Sequence, residues 1–368
     1  MARATLSRGD RLVVKIGTSS LVGTDGEPDE ARLAALCDEV ARLREAGVRP
    51  IVVSSGAIAA GLRPLGLSVR PVDIPGLQAA AAVGQGRLHR IYSRLFAEHH
   101  ITAAQLLLTR YDFTNRQHYI NARNTIDRLL SLDVLPVVNE NDTVATDEIR
   151  FGDNDRLAAL VANLSGAGLL VLLTDAPGVF EADPRRTPGA ALLDEVDRIT
   201  PQLERSAGGR GSELATGGMA SKLAAAWVST FSGVPAVVAS ATEPNVLNRV
   251  ASGDSIGTYF HARRKRTSAR RLWIAFAQPP LGTVVVDRGA RHALVQGKRS
   301  LLPAGVVEVR GNFEAGATVD VMTPDSQLVA RGTVRYASSE LEAARGRPAA
   351  EFAGREVIHR DQLVVLED

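Results

Sequence analysis

Several short runs in this chain are apolar at nearly every position rather than at every second one. They are Arg11-Leu12-Val13-Val14-Lys15-Ile16, Pro50-Ile51-Val52-Val53, Val134-Leu135-Pro136-Val137-Val138, Leu169-Leu170-Val171-Leu172-Leu173 and Ala236-Val237-Val238-Ala239-Ser240. A strand with one wet face alternates, whereas a strand apolar throughout is buried on both faces, as in a parallel sheet covered by helices. Helical patterns fall between the runs: residues 30–46, with Leu33, Leu36, Cys37, Val40 and Leu43 on one face and Gly47 just past the end, then 78–99, 119–130 and 157–164. Gln105-Leu106-Leu107-Leu108-Thr109 supplies a further strand. The alternation predicts an α/β fold with a mostly parallel sheet, in which 236–240 is the last strand of the first domain.

The chemistry gathers where these strands end. The first leads into Gly17-Thr18-Ser19-Ser20, the second into Ser54-Ser55-Gly56-Ala57, the fifth into Thr174-Asp175-Ala176-Pro177-Gly178. The densest segment is Asn139-Glu140-Asn141-Asp142, followed after Gly152 by Asp153-Asn154-Asp155 at the start of a helix. Turns that follow parallel strands share one edge of the sheet, the edge at which open α/β folds bind ligands. Carboxylates at a helix start also suit its free N–H groups. A glycine-rich loop, Thr216-Gly217-Gly218-Met219-Ala220-Ser221-Lys222, opens into an Ala-rich helix and lets backbone N–H groups approach phosphate oxygens. It lacks the Gly-x-x-x-x-Gly-Lys-Ser/Thr pattern. Of 43 basic side chains only Lys15, Lys222, Lys265 and Lys298 are lysine, and two of these lie in phosphate-suited stretches, where a compact ammonium acts differently from a planar guanidinium.

Other chemistries find little footing. Cys37 sits on an apolar helical face, and a single cysteine builds no disulfide framework, which fits a reducing, cytoplasmic setting. The histidines show no zinc-ligand spacing, and no Gly-x-Ser-x-Gly or Gly-x-G-x-x-Gly motif occurs. The uncharged window 157–174 is split by Ser165-Gly166-Ala167-Gly168 into two soluble elements, so no membrane span is expected. A net charge of +2 gives no bulk attraction to nucleic acid or membrane.

Composition shifts at the basic stretch 262–280, beyond which short β-like runs appear at 282–286, 305–309, 318–321 and 362–366. These predict a small β-barrel. From Arg271 onward 12 basic and 12 acidic side chains cancel, a poor footprint for RNA. An RNA-binding or RNA-modifying protein using this end is the alternative from a different class.

Taken together, Val14-Lys15-Ile16-Gly17-Thr18-Ser19, Ser54 to Gly61, Asn139-Glu140-Asn141-Asp142, Gly152 to Asp155, Thr174-Asp175 and Thr216-Gly217-Gly218-Met219 resemble the motifs of the amino acid kinase family. The likeness is strongest to its branch acting on the side-chain carboxylate of glutamate. The tail resembles a PUA domain. The resemblance implies a three-layer α/β/α sandwich with a mostly parallel central sheet over 1–261, a basic linker over 262–280 and a PUA-like β-barrel over 281–368. It places ATP at Lys15, Thr174, Asp175 and Thr216 to Lys222, and L-glutamate at Ser55, Asp142 and Asn154. Lys15, Lys222, Asp153 and Asp155 become the catalytic set, with Mg2+ carried by ATP phosphates and no side-chain metal ligand. It further implies the first step of proline biosynthesis in the cytoplasm, feedback by proline, a homo-oligomer (dimer or tetramer) and hand-over to glutamyl phosphate reductase. Family members acting on acetylglutamate, aspartate or a nucleoside monophosphate are the alternatives, against which the tail argues. Ala215 departs from the family's usual glycine, and Ser221 stands beside a position where the family usually has threonine.

Overall fold

The computed structural model describes residues 2–23, 27–144, 154–200, 203, 218–263, 280–352 and 354–366. The chain divides into two compact units, Met1–Arg266 and Thr267–Asp368. The basic stretch at 264–279 lies outside the described residues.

The first unit is built on strands β1 (Arg11–Ile16), β2 (Arg49–Val53), β3 (Ala103–Leu108), β4 (Leu135–Glu140), β5 (Leu169–Thr174), β6 (Glu195–Val196), β7 (Ala236–Ser240) and β8 (Thr258–Phe260). They form one sheet in the order β3-β4-β2-β1-β5-β7-β8-β6, parallel from β3 through β7. β8 runs antiparallel to β7, so Ala236–Ser240 is not the last strand of this unit. The two short strands β6 and β8 escape a sequence reading because two or three residues carry no periodicity.

Strand alternation sorts side chains onto two helical layers. Leu12, Val14 and Ile16 join Val52, Val137, Leu169, Val171 and Leu173 in a core closed by the helices Glu30–Glu45, Ile74–Ala97 and Val246–Ala251. Cys37 lies in that core, where burial pushes its thiol well up, so it is a packing residue. The opposite face, carrying Val13 and Lys15, is covered by the helices Asn154–Ser165 and Met219–Phe231. The result is the expected three-layer sandwich. Lys15 points into the second layer because its parity in β1 puts it there.

A further close contact fixes the region beside β2. The helix Ala57–Leu62 packs on Ile74–Ala97 through Gly61 and Gly84. A Cβ on Gly84 would lie 1.8 Å from the Ala57 carbonyl oxygen, and one on Gly61 1.9 Å from that of Ala80. The two backbones touch, so this approach is available to glycine alone.

The second unit is a mixed five-stranded sheet, β9 (Gly282–Val286), β10 (Val306–Arg310), β11 (Thr318–Met322), β12 (Leu328–Thr333) and β13 (Leu363–Val365), in the order β10-β9-β11-β12-β13. Its core includes Val284, Val286, Val319, Val321, Val329, Tyr336 and Ile358. β12, absent from the sequence expectation, holds Arg331, whose charge breaks the apolar pattern. Arg331 faces its register partner Asp320 on β11, and Nε donates to Oδ1 at 2.7 Å with both side chains buried.

Candidate active site

The carboxyl ends of β1, β2, β4 and β5 bring together the polar residues singled out in the sequence. Asp155, in the first turn of Asn154–Ser165, is 3 % exposed. Its Oδ1 lies 2.6 Å from Lys15 Nζ, and its Oδ2 accepts from Ser221 Oγ at 2.6 Å and from Lys222 Nζ at 3.4 Å. Burial alone would push this carboxyl up, but Lys15 and Lys222, with the hydrogen bonds from Lys15 and Ser221, hold it below the usual carboxylate range. The carboxylate is thus a fixed anion organising two ammonium groups from different layers of the chain, and Lys222 is the more loosely held of the two.

Lys222 and Ser221 lie in the first turns of the helix Met219–Phe231, whose N-cap, Gly218, makes no side-chain hydrogen bond. Among the described residues the N-cap offers no side chain to the first N–H groups of that helix, the arrangement suited to an anion. Met219 and Ala220 occupy the same first turn. Thr174 is buried at the end of β5 and its Oγ1 donates to Asp175 Oδ1 at 3.0 Å. Asp153, Ala215, Thr216 and Gly217, which the sequence also singled out, lie outside the described residues.

Asn154 anchors a second group. Its Nδ2 donates to the Ser54 carbonyl at 2.7 Å and to Asn139 Oδ1 at 2.8 Å, with Ser55 Oγ 3.3 Å away. Its Oδ1 is buried and accepts no hydrogen bond among the described residues. A buried acceptor left open costs free energy unless a ligand supplies the donor. Asp142 is half-buried after β4, and burial pushes its carboxyl up to about 6 against the opposing pull of Arg70. Asn139 belongs to the polar segment singled out in the sequence, though without a role of its own; Gln85, to which it is hydrogen-bonded, was not predicted, because amide pairing across 54 positions leaves no spacing signature.

This arrangement has two halves: a lysine-aspartate cluster beside a helix N-terminus, suited to phosphoryl oxygens, and an amide-carboxylate group suited to a small polar molecule. Residues 10–240 match the amino acid kinase family and residues 282–354 the PUA domain. A glutamate 5-kinase of Geobacter sp. (strain M21) is 46% identical over 373 aligned residues, covering 100% of both chains. One from Burkholderia multivorans is 47% identical, covering 99% of this chain and 100% of its own. Among solved structures, carbamate kinase from Giardia lamblia bound to AMP-PNP superposes with a TM-score of 0.50 at 17% identity, covering 70% of this chain and 100% of that one. That likeness concerns the fold alone.

Proposed function

Because the chain belongs to the amino acid kinase family, we propose that it transfers the γ-phosphoryl group of ATP to the side-chain carboxylate of L-glutamate. The products are L-glutamate 5-phosphate and ADP, the glutamate 5-kinase reaction that opens proline biosynthesis. The observation that carries the reading is the buried Lys15-Asp155-Lys222 cluster at the carboxyl edge of the sheet.

The acceptor needs no general base. A glutamate side chain has a reference pKa of about 4.3 and is already an anion at neutral pH. The obstacle is electrostatic: two anions must approach in line while charge builds on the transferred group. Lys15 and Lys222 cancel that charge, and Asp155 holds both ammonium groups in place without itself exchanging a proton. Ser221 and the start of its helix position phosphates, together with Thr216, Gly217, Gly218, Met219 and Ala220, while Thr174 and Asp175 line the nucleotide. Asp153 assists Asp155. Ser55, Asp142 and Asn154 bind glutamate, whose ammonium group suits the open Asn154 Oδ1 and the Asp142 carboxylate.

Mg2+ fits this donor set only as a companion of the nucleotide. Asp155 lies between two ammonium groups, and among the described residues no trio of His, Cys, Asp and Glu is spaced to hold a metal. Carried on phosphates held by Lys15 and Lys222, the ion supplies further neutralisation of the phosphoryl oxygens.

The family resemblance extends this reading to proline acting at or near the glutamate site, a homo-oligomer, a cytoplasmic setting and delivery of the product to a glutamyl phosphate reductase. Among the described residues no helix is long and apolar enough to cross a membrane. We assign catalysis to 1–261 and none to 281–368, with 262–280 as the connector. The test is ATP turnover with a panel of acidic acceptors: glutamate reacts, whereas aspartate and acetylglutamate react poorly. Equal turnover of all three would overturn the assignment.

A further inference from the structure

We infer that Gln85 is a positioning residue for the amino group of the substrate, acting through Asn139 on the carboxamide of Asn154; this rests on the glutamate reading above. The chain of reasoning starts at a group with no choice of role. The Glu140 backbone N–H can only donate, and it donates to Asn139 Oδ1 at 2.9 Å. Asn139 is therefore oriented with its oxygen toward Glu140 and its NH2 toward Gln85, whose Oε1 accepts. The same Asn139 oxygen accepts from Asn154 at 2.8 Å, and the Ser54 carbonyl, which can only accept, takes another N–H of Asn154 at 2.7 Å. Both partners demand the NH2 of Asn154, so its oxygen is turned away from them, buried and, among the described residues, open.

A buried amide oxygen held in that sense recognises a donor and rejects an acceptor. In a dicarboxylic amino acid the only cationic donor is the α-ammonium group, so this end of the site discriminates for an amine and against a carboxylate. Gln85 is the far end of the relay, and its own position is set by packing. Its chain neighbour Gly84 is in backbone contact with Ala57, in the first turn after Ser54 and Ser55. That contact fixes the register of the helix Ile74–Ala97 against the β2 turn and leaves Gln85 at the Asn139 carboxamide. Without an acceptor at Gln85, the NH2 of Asn139 loses a partner, and a flip of Asn139 would present its NH2 to Asn154.

The experiment compares Gln85→Met, which removes the acceptor at similar length, with Gln85→Glu, which keeps it, in the full chain. Glutamate and glutarate, which lacks the amine, serve as acceptors. Gln85→Met should raise KM for glutamate about tenfold, as expected when a buried polar group loses its partner, with kcat and KM for ATP within about twofold. It should also shrink the preference in kcat/KM for glutamate over glutarate by about tenfold, while Gln85→Glu stays within about threefold of the unaltered protein. Gln85→Leu repeats the measurement should the methionine variant fail to fold. A variant that loses glutamate and glutarate turnover equally, or that leaves glutamate KM unchanged, overturns the positioning role. Failure of the unaltered protein to phosphorylate glutamate at all would instead overturn the reading on which it rests.

Discussion

The two units each bury an ion pair, and the two pairs behave oppositely. In the C-terminal unit Arg331 and Asp320 face each other across adjacent antiparallel strands at 2.7 Å. In the N-terminal unit Asp155 is shared between Lys15 at 2.6 Å and Lys222 at 3.4 Å, groups that come from a strand, a helix start and a second helix. The first pair lies within one hairpin and serves the sheet. The second is drawn from residues far apart in sequence and leaves one ammonium loosely held at the edge where strands end. What separates scaffold from site here is where the charges are drawn from, not their depth, since all five side chains are nearly fully buried.

That contrast can be broken experimentally, and the tests rank by their effect on turnover. Lys222→Ala should lower kcat by about 10²–10³, the loss typical of one electrostatic stabiliser, with folding retained. A change confined to KM for ATP would reduce Lys222 to a binding group. Asn154→Ala should raise KM for glutamate by about tenfold or more, since one substrate hydrogen bond and two internal ones are lost, and far less for ATP. Equal rises for both substrates would make the Asn154 cluster scaffold of the same kind as Arg331-Asp320.

The pH profile follows from Asp142, whose carboxyl is pushed up to about 6. The ionised form attracts an ammonium group, so kcat/KM for glutamate should fall toward about tenfold per unit as pH drops below about 6, and Asp142→Asn should abolish that limb. The same shift carries a sign for stability. A raised folded pKa means that the ligand-free protein holds more protons than the unfolded chain between its ordinary value and about 6, so Asp142 makes stability decline as pH rises through that window. Asp155, held low, contributes in the opposite sense: its share is present at neutral pH and is lost in acid.

A chain ending near His261 should keep turnover within roughly tenfold, about 1.4 kcal/mol in the barrier. Complete loss in a cooperatively melting truncated protein would place part of the site in the tail. The smallest effect is expected from Arg331→Ala, which leaves Asp320 buried without this partner and should cost about 3–5 kcal/mol of stability. Turnover per folded molecule should stay within about twofold of the parent. Calorimetry alongside the assay separates the two outcomes.

Much of this was legible in the sequence because parallel strands announce themselves. β1 and β7 have the bounds that their apolar runs suggest, and the polar turns after β1, β2, β4 and β5 lie on one edge as their position after parallel strands requires. Lys15 and Lys222 stood out as rare lysines in phosphate-suited stretches and Asn154 and Asp155 as polar residues at a helix start, while their roles came from the family resemblance. Other features were illegible for physical reasons. β12 was hidden because Arg331 looks like a surface residue until Asp320 is seen opposite it. The contact of the Ser221 hydroxyl with Asp155, 66 positions away, leaves no spacing signature either. The Gln85-Asn139-Asn154 relay depends on which way each amide is turned, and a sequence carries no record of that.

The scarcity of lysine has a consequence for covalent chemistry. An amine-directed acylating reagent finds four side-chain targets in the whole chain, and two of them, Lys15 and Lys222, are only 5 % and 6 % exposed beside Asp155. Lys298 is exposed in the other unit. On a protein so sparing with amines, the labelling stoichiometry becomes a gauge of the catalytic edge: exposed amines react irrespective of ligand, whereas modification of Lys15 or Lys222 reports that the edge has opened, and an occupying nucleotide would shield it.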